Sequence, residues 1–119
     1  MAEHGVSYLF NGKTFQCPIE VGMSLFSGRW KSAIICKLVD GKKRYGQLKK
    51  LITGITHKML AEQLRELESA NIISRTVYPT TPPKVEYELT PLGKSLLPAI
   101  EYLQQWGEQF RLTPDQDSP

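Results

Sequence analysis

RYGQLKKLITGITHKMLAEQLRELES, residues 44–69, places two helical patterns on either side of a tight turn. Tyr45, Leu48, Leu51 and Ile52 recur at helical spacing and predict a short helix. Thr53-Gly54-Ile55-Thr56 then breaks the pattern. Thr56 is suited to cap a second helix, and Ile55 just before it can staple onto Leu60. That helix is expected from His57 to about Ser69, with Leu60, Leu64 and Leu67 on one face. Lys58, Ala61, Glu62 and Arg65 project roughly opposite. Ala70-Asn71 ends the segment, because asparagine tolerates a left-handed cap.

Upstream, Cys17-Pro18 opens a helix with proline in its first turn, and Ile19, Met23 and Phe26 form its apolar stripe up to Ser27-Gly28. A second helix is expected from about Arg29 to Val39, with Trp30, Ile34 and Leu38 on one face and Gly41 as its stop. Residues 1–16 read as an N-terminal extension. In it Tyr8-Leu9-Phe10, Asn11-Gly12 and Lys13-Thr14-Phe15 suggest a hairpin with a type I′ turn. Two strands alone are marginal in water, so the hairpin must pack on the domain or on a partner subunit.

Downstream, the period changes from helical to alternating. Ile73, Arg75 and Val77 alternate with Ser74, Thr76 and Tyr78, and Val85, Tyr87 and Leu89 with Glu86 and Glu88. Between them lies the stiff loop Pro79-Thr80-Thr81-Pro82-Pro83-Lys84, giving a two-stranded ribbon whose tip bears Lys84. Thr90-Pro91 caps a last helix through Leu92, Leu96, Leu97, Ile100, Leu103, Trp106 and Phe110. Pro98 falls inside that pattern and should kink or split it. Residues 113–119 read as a flexible tail.

The 119 residues suit one domain, and a composition of 40% hydrophobic and 23% charged residues is ordinary for a globular chain. Nothing approaches the length of a membrane helix, and Met1-Ala2-Glu3-His4-Gly5 lacks the character of a signal peptide, so cytoplasmic residence is the expectation. The net charge of +3 conceals segregation. Residues 29–58 carry nine Lys or Arg against Asp40 alone, a local balance of +8, while the remainder stands at −5. Such a one-sided field attracts polyanions.

Helix, helix, short helix, tight turn, helix, ribbon, helix is the layout of a winged helix-turn-helix. The fold class is therefore α+β, mainly α, with extra N- and C-terminal helices suited to dimerisation. A helix entering the major groove needs one apolar face to anchor it and a small, hydrogen-bonding N-terminal end to meet base edges. The segment of about 56–69 answers that description as a recognition helix, and residues of about 73–89 as a wing. Double-stranded DNA is the expected partner.

The chain closely resembles the HxlR-type transcriptional regulators of bacteria, relatives of the MarR-like winged-helix proteins. The resemblance is carried by Cys17-Pro18, Gly28-Arg29-Trp30-Lys31, Arg44-Tyr45-Gly46-Gln47-Leu48, Gly54-Ile55-Thr56-His57-Lys58-Met59-Leu60 and Leu64-Arg65-Glu66-Leu67-Glu68. It continues through Val77-Tyr78-Pro79, Pro82-Pro83-Lys84-Val85-Glu86-Tyr87 and Leu89-Thr90-Pro91-Leu92-Gly93, spanning roughly residues 17–107. The family often shows Ser-Gln-Lys where this chain has Thr56-His57-Lys58, and Gly-Lys-Trp where it has Gly28-Arg29-Trp30. The resemblance implies a DNA-binding domain over 17–112. It also implies a two-fold homodimer built by the first and last helices (Ile19, Met23, Phe26, Leu103, Trp106, Phe110), with recognition helices about one DNA turn, ~34 Å, apart on a palindromic operator.

Thr56, His57 and Lys58 are the leading DNA-contact candidates, although a cap alone explains Thr56 and solvent exposure alone would explain His57. Arg65 could reach phosphate or pair with Glu62 and Glu68. Lys31, Arg44, Lys49 and Lys50 are candidate phosphate clamps, and Arg75 and Lys84 the basic reach of the wing. Two cysteines are too few for a disulfide scaffold, and their spacing does not suggest a metal site. Cys36 reads as an inert hydrophobe inside its helix. Cys17 lies at a helix N-terminus, where thiolate reactivity rises, and in several members of the family a cysteine there senses oxidants or electrophiles. It is either such a switch or a packed thiol. With His4 and His57 the only histidines and no phosphate-cradling glycines, an enzyme is not expected. The residues name no cofactor and no effector. The alternative reading is a winged-helix module for RNA or protein interaction.

Overall fold

The computed structural model describes residues 5–112. The tail expected over 113–119 and the first four residues of the extension lie outside them. The chain opens with a hairpin, β1 (Tyr8–Phe10) and β2 (Lys13–Phe15), joined by Asn11 and Gly12 at φ 51° and 77°. Those two positive φ angles are what an Asn-Gly type I′ turn requires. Phe10 packs against the core, so the hairpin rests on its own domain.

Helix α1 (Pro18–Phe26) follows, capped at Cys17 and buried only at Leu25. Helix α2 (Trp30–Leu38) buries Ile34, Ile35 and Leu38. A two-residue strand, β3 (Lys43–Arg44), leads into α3 (Tyr45–Leu51). Gly54, at φ 86°, makes the turn to α4 (His57–Ser69), where the Thr56 hydroxyl accepts from the Met59 amide at 3.1 Å. Ile55 and Leu60 are both buried in the core, as the staple requires. At the far end of α4, Asn71 adopts φ 62°. The Asn71 and Ile72 amides then bond the carbonyls of Glu68 and Leu67, each at 3.0 Å, which completes a Schellman cap.

Strands β4 (Ile73–Tyr78) and β5 (Lys84–Leu89) form the ribbon in the register Ile73↔Leu89 to Tyr78↔Lys84. β3 adds to the other side of β5, so the sheet order is β3-β5-β4. This third strand ties the start of α3 to the base of the wing. Thr90 caps α5 (Pro91–Lys94), its hydroxyl accepting from the Gly93 amide at 3.0 Å and donating to the Asn71 carbonyl at 2.6 Å. Gly93 lies so close to the Ile72 backbone that a Cβ there would collide with the Ile72 carbonyl oxygen.

Pro98 splits the last helical pattern, because α5 stops at Lys94 and α6 (Leu97–Glu108) begins with Pro98 in its first turn. Of α6 only Ile100 is buried, with Leu97 and Leu96 partly so. Beyond it every residue of α6 is exposed. The core is one cluster in which α2 and α4 cross beneath Leu48, Ile72, Ile73, Tyr87 and Leu89. No helix among the described residues is long and apolar enough to cross a membrane.

Candidate nucleic-acid interface

α4 turns Leu60, Leu64 and Leu67 fully into the core and leaves Thr56, His57 and Lys58 exposed at its N-terminal end. The positive end of the helix dipole thus lies beside two hydrogen-bonding side chains and a free ammonium, which suits an approach to DNA. Lys58 has no ion-pair partner among the described residues. His57 is held from the preceding helix. The Tyr45 hydroxyl lies 3.1 Å from His57 Nδ1 and donates to the His57 carbonyl oxygen at 3.3 Å. The two rings stack with centroids 5.9 Å apart and planes 9° from parallel. Tyr45 was not among the sequence candidates. Its spacing marked it as an apolar face residue, and the pairing depends on the turn that brings α3 against α4.

Arg44 and Tyr45 share an open cleft with the wing loop, lined on the other side by Thr80, Pro82, Pro83 and Lys84. The structure therefore brings Arg44 and the wing together. Lys84 does not reach from the loop tip as its position in the sequence suggested. It opens β5, opposite Tyr78, with its ammonium 4.4 Å above the Tyr78 ring. The Tyr78 hydroxyl and the nearby Lys84 and Lys42 charges hold the Glu86 carboxyl below the usual carboxylate range. Lys42 also lies 3.6 Å from Glu86. The wing is thus internally braced, and Tyr78 is one of its struts.

Arg65 pairs with neither Glu62 nor Glu68 among the described ion pairs, and it lines a cleft with Arg75 between α4 and the sheet. Lys49 is half-buried and Lys50 exposed, both in the last turn of α3. Lys31 is already engaged within the domain. Its ammonium bonds Glu66 at 2.8 Å, and its side chain is only 21% exposed. Glu66 is nine residues along α4 from His57, roughly 13 Å at helical rise. Lys31 therefore braces α2 against α4 beside the hairpin, on a different part of the surface from the Thr56 end.

Cys36, read as a small hydrophobe among apolar neighbours, is exposed on α2. It lines a groove of about 920 Å³ with Phe26, Val39, Leu51, Ile100 and Leu103. Cys17 is half-buried at the α1 cap and makes no side-chain cap bond. The residues read from the resemblance as a dimer surface are largely uncovered. Ile19 is 67% exposed, Met23 50%, Leu103 53%, Trp106 58% and Phe110 63%, whereas Phe26 packs against the core. Tyr102 belongs with them and was not singled out in the sequence. Among the described residues no cluster of His, Cys, Asp and Glu could hold a metal ion.

Residues 25–115 match the family described as HxlR-like helix-turn-helix. The HTH-type transcriptional regulator YdeP of Bacillus subtilis (strain 168) is 45% identical over 95 residues, covering 80% of this chain and 74% of that one. Among solved structures, the redox regulator HypR in its oxidized form superposes with a TM-score of 0.75 at 41% identity, covering 82% of this chain and 100% of the other. The reduced form of the transcriptional regulator YodB from B. subtilis gives 0.71 at 43% identity, covering 81% and 95%.

Proposed function

The chain belongs to the HxlR-like helix-turn-helix family and is a transcriptional regulator, not an enzyme, and on that premise we propose that it acts as a cytoplasmic homodimer on a palindromic operator in duplex DNA. α4 is the recognition helix, meeting base edges with Thr56 and His57 while Lys58, beside them, engages a phosphate. Arg44, Lys49 and Lys50 engage phosphates beside it, Arg65 and Arg75 flank it, and the wing, with Lys84, meets the neighbouring backbone. The observation that carries this reading is the division of α4 itself. Its leucines are fully buried while its N-terminal end is exposed, polar and unpaired at Lys58. A helix so anchored can enter a groove without losing core contacts.

Dimerisation is supported by the uncovered apolar side chains Ile19 and Met23 on α1 and Leu103 and Trp106 on α6, since exposed apolar surface marks interaction sites when it is grouped. A two-fold pair would set two copies of α4 about one DNA turn, ~34 Å, apart. Footprinting on the intergenic DNA beside the gene tests both parts. Two protected half-sites ~10 bp apart are expected, and a single half-site would contradict the dimer.

Control runs through Cys17, which is half-buried at the N-terminal cap of α1, within the helix proposed for the dimer contact. Oxidation or alkylation of its sulfur would alter that cap and the spacing of the two reading heads. The likeness to the redox regulator HypR supports this. Operator affinity of the wild type should fall or rise on oxidant treatment while Cys17→Ser stays constant, and identical responses of the two would remove the switch.

A further inference from the structure

We propose that Tyr45 is a positioning residue for base reading: it holds the His57 imidazole with the proton on Nδ1, so that Nε2 is offered as an acceptor to a base edge carrying an exocyclic amine, cytosine N4 or adenine N6. This rests on the DNA-reading role of α4 given above.

The assignment follows from counting protons. The Tyr45 oxygen faces two atoms, His57 Nδ1 at 3.1 Å and the His57 carbonyl oxygen at 3.3 Å. A phenol has one proton to donate and lone pairs to accept. Were that proton given to Nδ1, the phenol and carbonyl oxygens would face each other lone pair to lone pair. Given instead to the carbonyl, which has no proton of its own, it leaves the phenol free to accept from Nδ1–H, and both contacts become hydrogen bonds. A neutral imidazole carries one N–H, so Nε2 is then bare.

The surroundings make Tyr45 the anchor and His57 the group that is held. Tyr45 packs against the core at the start of α3, whereas His57 is exposed in the first turn of α4. Stacking at 9° fixes the plane of the imidazole, and the hydrogen bond fixes which edge turns outward. Nε2 has no hydrogen-bond partner among the described residues. A side chain already fixed in one rotamer and one tautomer loses little entropy on meeting DNA. In the major groove an acceptor discriminates amine-bearing base edges from the keto edges of guanine and thymine.

Tyr45→Phe keeps the ring, the stacking and the packing and removes only the hydroxyl. Two readouts on the full chain test the proposal. First, ¹⁵N spectra of the histidine rings at alkaline pH, with the His57 signals assigned by their loss in His57→Ala, should show the Nδ1–H form in the wild type and a mixture in Tyr45→Phe. Second, sites selected from a pool of random duplexes should carry cytosine or adenine at one position with the wild type. Tyr45→Phe and His57→Ala should relax that same position, with about a three- to ten-fold loss of preference, the worth of one hydrogen bond. The double variant should lose no more than His57→Ala does. Thermal midpoint and salt dependence should be unchanged in Tyr45→Phe, which a merely structural role would not permit alongside relaxed selection. An Nε2–H tautomer in the wild type, or Tyr45→Phe selecting that position as the wild type does, overturns the proposal. If the wild type selects no sequence, the DNA-reading role falls and this proposal with it, whereas selection by the wild type with an unmoved Tyr45→Phe removes the role of Tyr45 alone.

Discussion

Trp106→Ala is the most informative change for the assembly. Trp106 is 58% exposed and stacks obliquely on Phe110, with centroids 4.9 Å apart. A tryptophan offers about 250 Å² to burial, so a partner could cover about 145 Å² of it at the stated exposure. At ~25 cal/mol per Å² this is about 3.5 kcal/mol per protomer, or about 7 for a two-fold contact in which it occurs twice. Incomplete cover and the cost of ordering the exposed α6 reduce this to about half. About 3 kcal/mol corresponds to a dimer dissociation constant weakened roughly a hundred-fold. Sedimentation equilibrium over a range of concentrations reads this directly. Val77→Ala, a change at a half-exposed apolar residue on the wing, serves as the control and should leave association unchanged. A Trp106→Ala protein that dimerises as tightly as the wild type would refute the reasoning, and so would equal weakening by Val77→Ala.

Three further outcomes follow. Lys58→Ala should lower the slope of log affinity against log salt by about 0.9 per lost phosphate contact, hence about 1.8 for a dimer that loses one in each half-site. Lys31→Ala should leave that slope unchanged and cost at most about 1 kcal/mol of stability, since its partner Glu66 is 55% exposed and screened by solvent; gel-shift titrations at several salt concentrations separate the two. Gly93→Ala should destabilise by about 2 kcal/mol or more, because the new methyl meets the Ile72 backbone and not a flexible side chain, whereas Gly46→Ala, with no atom within 4 Å, should be neutral or mildly stabilising in the same urea melts.

The elements with a strong period or cap are legible in the sequence. The Leu60–Leu64–Leu67 face, the Thr56 cap, the Asn11-Gly12 turn and the break at Pro98 each follow from a local steric or hydrogen-bonding rule, and each stands in the structure. β3 was not legible. Two basic residues offer no alternation, and their pairing with Tyr87 and Glu86 is a contact made more than forty residues away in the chain. The surroundings of Lys31 and Cys36 follow from helical angle and not from residue type. At about 100° per residue, Lys31 projects beside Leu38 toward α4, and Cys36 lies roughly 150° from the mean direction of Ile34, Ile35 and Leu38. Projection alone would have turned the lysine inward to an ion pair and the cysteine out to the groove. Within the candidate interface, the exposure of Thr56, His57 and Lys58 was readable from their place ahead of the first buried leucine. The hold of Tyr45 on His57 was not, because it depends on the angle between two helices.

The most direct measurement is hydroxyl-radical footprinting of the promoter fragment beside the gene, with the protein's stoichiometry on that fragment measured in parallel. Two copies of the chain per fragment, protecting two half-sites one helical turn apart, with Lys58→Ala needing a higher protein concentration to protect both together, is the predicted result. One copy per fragment, or protection by Lys58→Ala at the same protein concentration as the wild type, would contradict it.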